Sequence, residues 1–240
     1  MIDFGSDSSL MATNIGPYNE YMGIDLCLPC AALTTTMIGM YHSPRRADAA
    51  AATRAAILDT ARVMFLDRGY TNVTVGDIAK AARVAVPTVY ASTGGKAAIL
   101  SALLEPAVHD PSVEESLAIV ASAEDGARVI DATATGTRRT CERHWATLYG
   151  LMRHALTEPA AHEVIEATLA SYLGALTVVA DRLVALDALK PGIDRDEAID
   201  LLWFYLGRSP WFTLVGERGW TFDRAEAWLA GAARQALLAE

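Results

Sequence analysis

An all-α fold is what this sequence predicts, and three observations carry that reading. Alanine-rich stretches with few glycines run for tens of residues. The β-branched runs at regular spacing that would mark strands are missing. Apolar residues instead recur every three or four positions. At 240 residues the chain has room for one or two domains. With 52% hydrophobic and 20% charged residues it can bury a sizeable core, which excludes wholesale disorder.

The amino-terminal stretch lacks these helical signs. Residues 1–44 carry Asp3, Asp7, Glu20 and Asp25 and neither Lys nor Arg. The uncharged run from Leu26 to Pro44 approaches the length of a membrane span, but two prolines, three threonines and a histidine dilute it. Its acidic upstream flank is the opposite of what a secretory signal requires. Cys27 and Cys30 form a CxxC without the βαβ context of a redox motif or the second ligand pair of a zinc site. Residues 1–46 are therefore expected to be a poorly ordered extension.

Helices follow in order. Between Thr53 and Arg68, residues Ile57, Ala61, Met64 and Phe65 share one face, and Gly69 stops the helix. Thr74, with a carboxylate at Asp77 three residues on, forms a capping box that opens a short helix to about Ala82. The connection Arg83-Val84-Ala85 leads to a second short helix, Val86 to about Ser92, with Pro87 in its tolerant first turn. Gly94-Gly95 ends it, and Lys96 opens a helix running towards His109. A three-residue turn between two short helices is the outline of a helix-turn-helix.

Further on, a single long helix is expected over 125–156, with a seam of Cys141, Trp145, Leu148, Met152 and Ala155. Pro159 starts the next, where Ile165, Leu169, Tyr172, Leu176, Val179, Leu183 and Leu186 keep alternating spacings of four and three up to Lys190-Pro191-Gly192. Asp194 opens an aromatic helix interrupted by Pro210. A final helix, about Phe222 to Leu238, places Ala225, Trp228, Leu229, Ala232 and Ala236 on one side.

The segment Val73 to Leu100, with Asp77-Ile78-Ala79, Thr88-Val89-Tyr90, Lys96 and Ile99-Leu100 in that order, resembles the DNA-binding signature of the tetracycline-repressor (TetR) family. The resemblance spans Thr53 to about Leu104. It implies a three-helix DNA-binding domain over 47–105 and a larger helical ligand-binding and dimerisation domain over 106–240. It further implies that Thr88, Val89 and Tyr90 approach phosphates or base edges, and that Thr74 and Lys96 meet phosphates. Arg45 and Arg46 are candidates for a flexible arm reaching the minor groove. Candidate effector-pocket residues are Trp145, Tyr149, Met152 and Tyr172, and candidate dimer-interface residues are Trp203, Trp211, Trp228 and Leu229.

This sequence departs from the family pattern in specific places. Arg83 stands where a turn glycine is usual, Ala85 where a capping Ser is usual, and Ser92-Thr93 where a His-Phe pair is common. These changes bear on operator sequence and affinity.

Charge and missing motifs narrow the function classes. The net charge of −9 rules out a polybasic nucleic-acid binder. The asymmetry matters more, because residues 45–105 hold eight basic residues against five acidic ones. No GxGxxG occurs, His162-Glu163 has no second His at 166, and Gly207-Arg208-Ser209 lacks the glycine of a nucleophile elbow. The expectation is a cytoplasmic homodimeric regulator, a repressor of a palindromic DNA operator released by a small-molecule effector. Neither enzyme activity, a cofactor, a metal nor a membrane partner is expected. The competing readings are a helical sensor or interaction protein with a decayed DNA-binding unit and, behind it, an enzyme.

Overall fold

The computed structural model describes residues 44–152 and 158–239, all within one compact unit. Cys27, Cys30 and nearly all of the 26–44 run lie outside the described residues, as do His154 and Ala155. Among the described residues eleven helices follow one another: α1 (Pro44–Arg68), α2 (Val75–Ala81), α3 (Val86–Thr93), α4 (Lys96–Val108), α5 (Pro111–Ser122), α6 (Gly126–Arg143), α7 (Trp145–Met152), α8 (Pro159–Ala185), α9 (Arg195–Leu206), α10 (Arg208–Trp211) and α11 (Phe222–Leu237). A 3₁₀ turn at Tyr70–Asn72 and a π-helical turn at Phe212–Glu217 complete them. The only β feature among the described residues is an isolated antiparallel bridge between Leu189 and Leu238, which ties down the end of α11.

Two apolar clusters organise the chain. The first joins Ile57, Ala61, Met64 and Phe65 of α1 to Ile78, Ala79, Val89, Ile99, Leu100 and Leu104. Full burial of a side chain such as Phe65 is worth roughly 2–3 kcal/mol. This cluster also takes in Leu148, Leu151, Ala161 and Phe212, so α7, α8 and the π-helical turn pack into the same core as the amino-terminal helices. The second cluster is built on α6, α8, α9 and α11, around Val129, Ile130, Leu176, Leu183, Leu202, Trp211 and Leu229. By length and composition alone α8 could cross a bilayer, and it packs against α4, α5, α6 and α9 while only 22% of its apolar window is buried.

Three expectations from the sequence need correction. The helix expected over 125–156 is two helices, because Arg143 and His144 both turn to the buried carboxylate of Asp110 and the chain breaks there. Helix α1 begins at Pro44, and Arg45 and Arg46 lie exposed in its first turn instead of forming a free extended arm. On α11 the buried stripe is Ala225, Leu229, Ala230, Ala233 and Leu237, which leaves Trp228 53% exposed.

Candidate functional site

The helix-turn-helix is assembled from local chemistry. At the start of α2, Asp77 N–H donates to Thr74 Oγ1 (3.1 Å), and Thr74 N–H donates back to Asp77 Oδ2 (3.0 Å). That reciprocal cap leaves Thr74 exposed at a helix start, where backbone N–H groups favour an anion. The hydrogen bonds from Thr74 hold the Asp77 carboxyl below the usual carboxylate range. At the other end of α2, Arg83 adopts φ 57°. Val84 N–H reaches Ala79 O (3.0 Å) and Arg83 N–H reaches Lys80 O (3.3 Å), a Schellman closure with arginine in glycine's place. Ala85 then starts α3 without a side-chain cap.

Helix α3 sorts its residues by a single buried anchor. Val89 is fully buried, in contact with the first core, and this corrects its expected role: it holds the helix down and does not reach DNA. Its neighbours face the other way. Tyr90 is 55% exposed and Thr88 is half-buried. Arg54 of α1 donates to Ser92 O (2.7 Å) and Thr93 Oγ1 donates to Val89 O (2.9 Å), which fixes the end of α3 without the missing aromatic pair. Lys80 and Arg83 are exposed beside the turn and make no ion pair among the described residues. Sequence reasoning took Arg83 only for a defect and missed this pair of available cations.

Lys96 is placed differently from its expected role. Its Nζ lies 2.7 Å from Glu158 Oε1, at the start of α8, and 4.2 Å from the Tyr70 ring centroid. Burial, with the Glu158 charge nearby, pushes the Tyr70 phenol up to about 12. The cation that the resemblance assigns to a phosphate is thus paired with a carboxylate of the carboxy-terminal helices.

Among those helices lies a partly open cavity of about 70 Å³. Its walls include Val113 and Leu117 of α5, Thr137 and Cys141 of α6, Tyr172 and Leu176 of α8, and Arg208 of α10. Of the four expected pocket residues only Tyr172 lines it. Trp145 and Tyr149 stack with centroids 4.8 Å apart and pack edge-on against Phe212, so they are core. Met152 touches the site only indirectly, through its Sδ, 3.4 Å from Arg208 Nη1. Burial raises the Tyr172 phenol and pushes the Cys141 thiol up to about 12, so both are neutral at physiological pH.

Residues 57–103 match the model of the tetR family of bacterial regulatory proteins. That segment, the helix-turn-helix with parts of its flanking helices, is similar to a TetR-family DNA-binding region. The chain's fold is similar to that of NalD, the secondary repressor of the MexAB-OprM multidrug efflux pump in Pseudomonas aeruginosa, at 21% identity and a TM-score of 0.66, over 80% of this chain and 99% of that one. SmeT, the repressor of the Stenotrophomonas maltophilia multidrug efflux pump SmeDEF, aligns at 21% identity and a TM-score of 0.61, over 80% of this chain and 93% of that one. KstR2, a ketosteroid transcriptional regulator of Mycobacterium tuberculosis, aligns at 17% identity and a TM-score of 0.54, over 78% and 95% of the two chains. No curated protein matches the sequence. Within the matched segment, α3 is the second helix of the helix-turn-helix and carries exposed residues.

Trp211 is fully buried and Leu229 nearly so, which removes both from the expected dimer interface: they sit inside one subunit's core. Trp203 is half-buried. Phe204, one of the aromatics of α9 but not among the expected interface residues, is 66% exposed and borders the same groove as Trp228. Two adjacent, exposed aromatic side chains on α9 and α11 form an apolar patch of the kind that marks protein contacts.

Proposed function

We propose that this chain is a TetR-family regulator, a cytoplasmic repressor that binds a palindromic operator as a homodimer and lets go when a small molecule fills the cavity. The observation that carries the reading is the two-sided α3, with Val89 locked in the core and Tyr90 turned outward beside Thr88. That division supports α3 lying in the major groove, with Thr88 and Tyr90 at base edges or phosphates and Thr74 at a phosphate. Lys80 and Arg83 add positive charge beside the turn, and Arg45 and Arg46 do so at the start of α1. A single copy carries few such cations, so two copies related by a two-fold axis, meeting through Phe204 and Trp228, supply the affinity.

The route from cavity to DNA runs through α4, α7 and α8. Helix α8 lines the cavity, packs on α4 and begins at Glu158, the partner of Lys96. Helix α7 lies so close to α1 that a Cβ on Gly150 would come within 2.2 Å of Leu66 Cδ2. A ligand that favours one placement of these helices shifts the spacing of the two recognition helices.

Electrophoretic mobility shift with the DNA upstream of the chain's own coding sequence tests the reading. We expect specific retardation that weakens steeply between two salt concentrations and disappears in Tyr90→Ala with its far-UV circular dichroism intact. A dimer that retards no DNA at low salt would instead identify a helical sensor whose DNA-binding unit has decayed.

A further inference from the structure

We infer that the cavity takes a small organic acid, with the Arg208 guanidinium holding its carboxylate. The inference rests on the effector reading above and supplies the chemical class of the ligand.

Arg208 lines the cavity at the break between α9 and α10. Burial disfavours its charged form and lowers its pKa, but a guanidinium stays protonated in proteins, so a half-buried cation stands between the cavity and the outer groove of Phe204 and Trp228. Among the described residues it has no carboxylate partner. Its one hydrogen bond goes from Nη1 to the Met152 thioether, a weak acceptor, and its Cζ lies 5.6 Å from the Tyr172 ring centroid. Among the described residues no Asp or Glu lines the cavity.

The other polar groups of the wall are already engaged. Tyr172 OH donates to Leu206 O (2.7 Å) and meets Thr137 Oγ1 (2.8 Å). Thr133 Oγ1 donates to Val129 O and Thr168 Oγ1 to Val164 O. Arg208 is therefore the cavity-lining group with N–H donors to spare, five against one weak bond, in a fork that matches a carboxylate.

The rest of the wall selects among anions. A lone cation surrounded by Val113, Leu117, Leu176 and Val179 suits a monoanion on an apolar body and not a phosphate dianion, which would stay half neutralised. The same guanidinium repels organic cations. A carboxylate that engages Arg208 competes for the guanidinium that now rests on Met152, the last residue of α7. Occupancy is thereby felt at the helix that packs on α1.

Thermal unfolding and titration calorimetry of the full chain with butyrate and benzoate, beside butyramide and benzamide, test the inference. We expect both acids to raise Tm saturably and the uncharged amides to leave it unchanged. Arg208→Met should weaken acid binding at least tenfold, while its own Tm without ligand equals or exceeds that of the parent. Arg208→Lys should keep a reduced response. Equal shifts with acids and amides, or no shift with either acid, would overturn the inference, and this comparison stands on the parent protein even where a variant fails to fold. A shift by the amides alone overturns the acid class and leaves the effector cavity standing. Acids that bind through Arg208 without releasing DNA in the mobility shift would keep the site and overturn the release mechanism.

Discussion

Arg83 spends its backbone in a conformation that a side chain resists. At φ 57° its Cβ crowds the neighbouring carbonyl, and the Schellman hydrogen bonds around it require that geometry. Arg83→Gly should raise stability by about 1 kcal/mol, read as a higher urea midpoint with unchanged slope. The same variant should bind operator more weakly, because it removes an exposed cation beside the recognition helix.

Asp110 shows the opposite economy. Burial works against its charge, but hydrogen bonds from Ser112 N–H (2.9 Å), Ser112 Oγ (2.5 Å), His144 Nε2 (2.7 Å) and Arg143 Nη1 (2.6 Å) hold the carboxyl well below its usual range. A depressed folded value stabilises the protein above the unfolded carboxylate pKa of about 3.9. That stabilisation is lost as pH falls from there through the folded value. Asp110→Asn should cost about 3 kcal/mol at pH 7, and the gap between parent and variant should narrow below about pH 4 in denaturation midpoints measured across that range.

Elements behave less independently than their sequences. The seam through Cys141, Trp145, Leu148 and Met152 is periodic enough to promise one helix, yet the chain breaks at His144 because a residue 34 positions earlier captures its ring. Periodicity along one segment carries no information about such a partner. The pairing of Lys96 at the head of α4 with Glu158 at the head of α8 has the same origin. Glu158→Gln should release Lys96 for phosphate and tighten operator binding about threefold to tenfold, the size of a half-exposed ion pair of ~1 kcal/mol. Fluorescence anisotropy at fixed salt reads that change, and Lys96→Met should reverse its sign.

Across the whole molecule the two exposed aromatics are the features a lone subunit explains least. Phe204→Asp with Trp228→Glu should leave the helical circular dichroism unchanged and convert a dimer to a monomer in sedimentation velocity. Operator affinity should collapse with it, since each half-site would be bound alone. A variant pair that stays dimeric would move the interface elsewhere on the carboxy-terminal helices.

The all-helical class, the capping box at Thr74, the apolar face of α1 and the ordered residues of the helix-turn-helix were all legible in the sequence, because each depends on residues within a turn or two of one another. So was the arginine at position 83 in place of the usual turn glycine. Which face of α3 or α11 turns inward was not: a short helix offers several apolar sides, and only the neighbouring helices choose among them. That choice placed Val89 and Trp211 in the interior, turned Trp228 and Phe204 outward, and brought Arg208 to a cavity wall beside Tyr172, 36 positions earlier in the chain. Local propensity decides which segments become helices, whereas burial and charge pairing between distant segments decide which atoms are left facing DNA, ligand or a second copy.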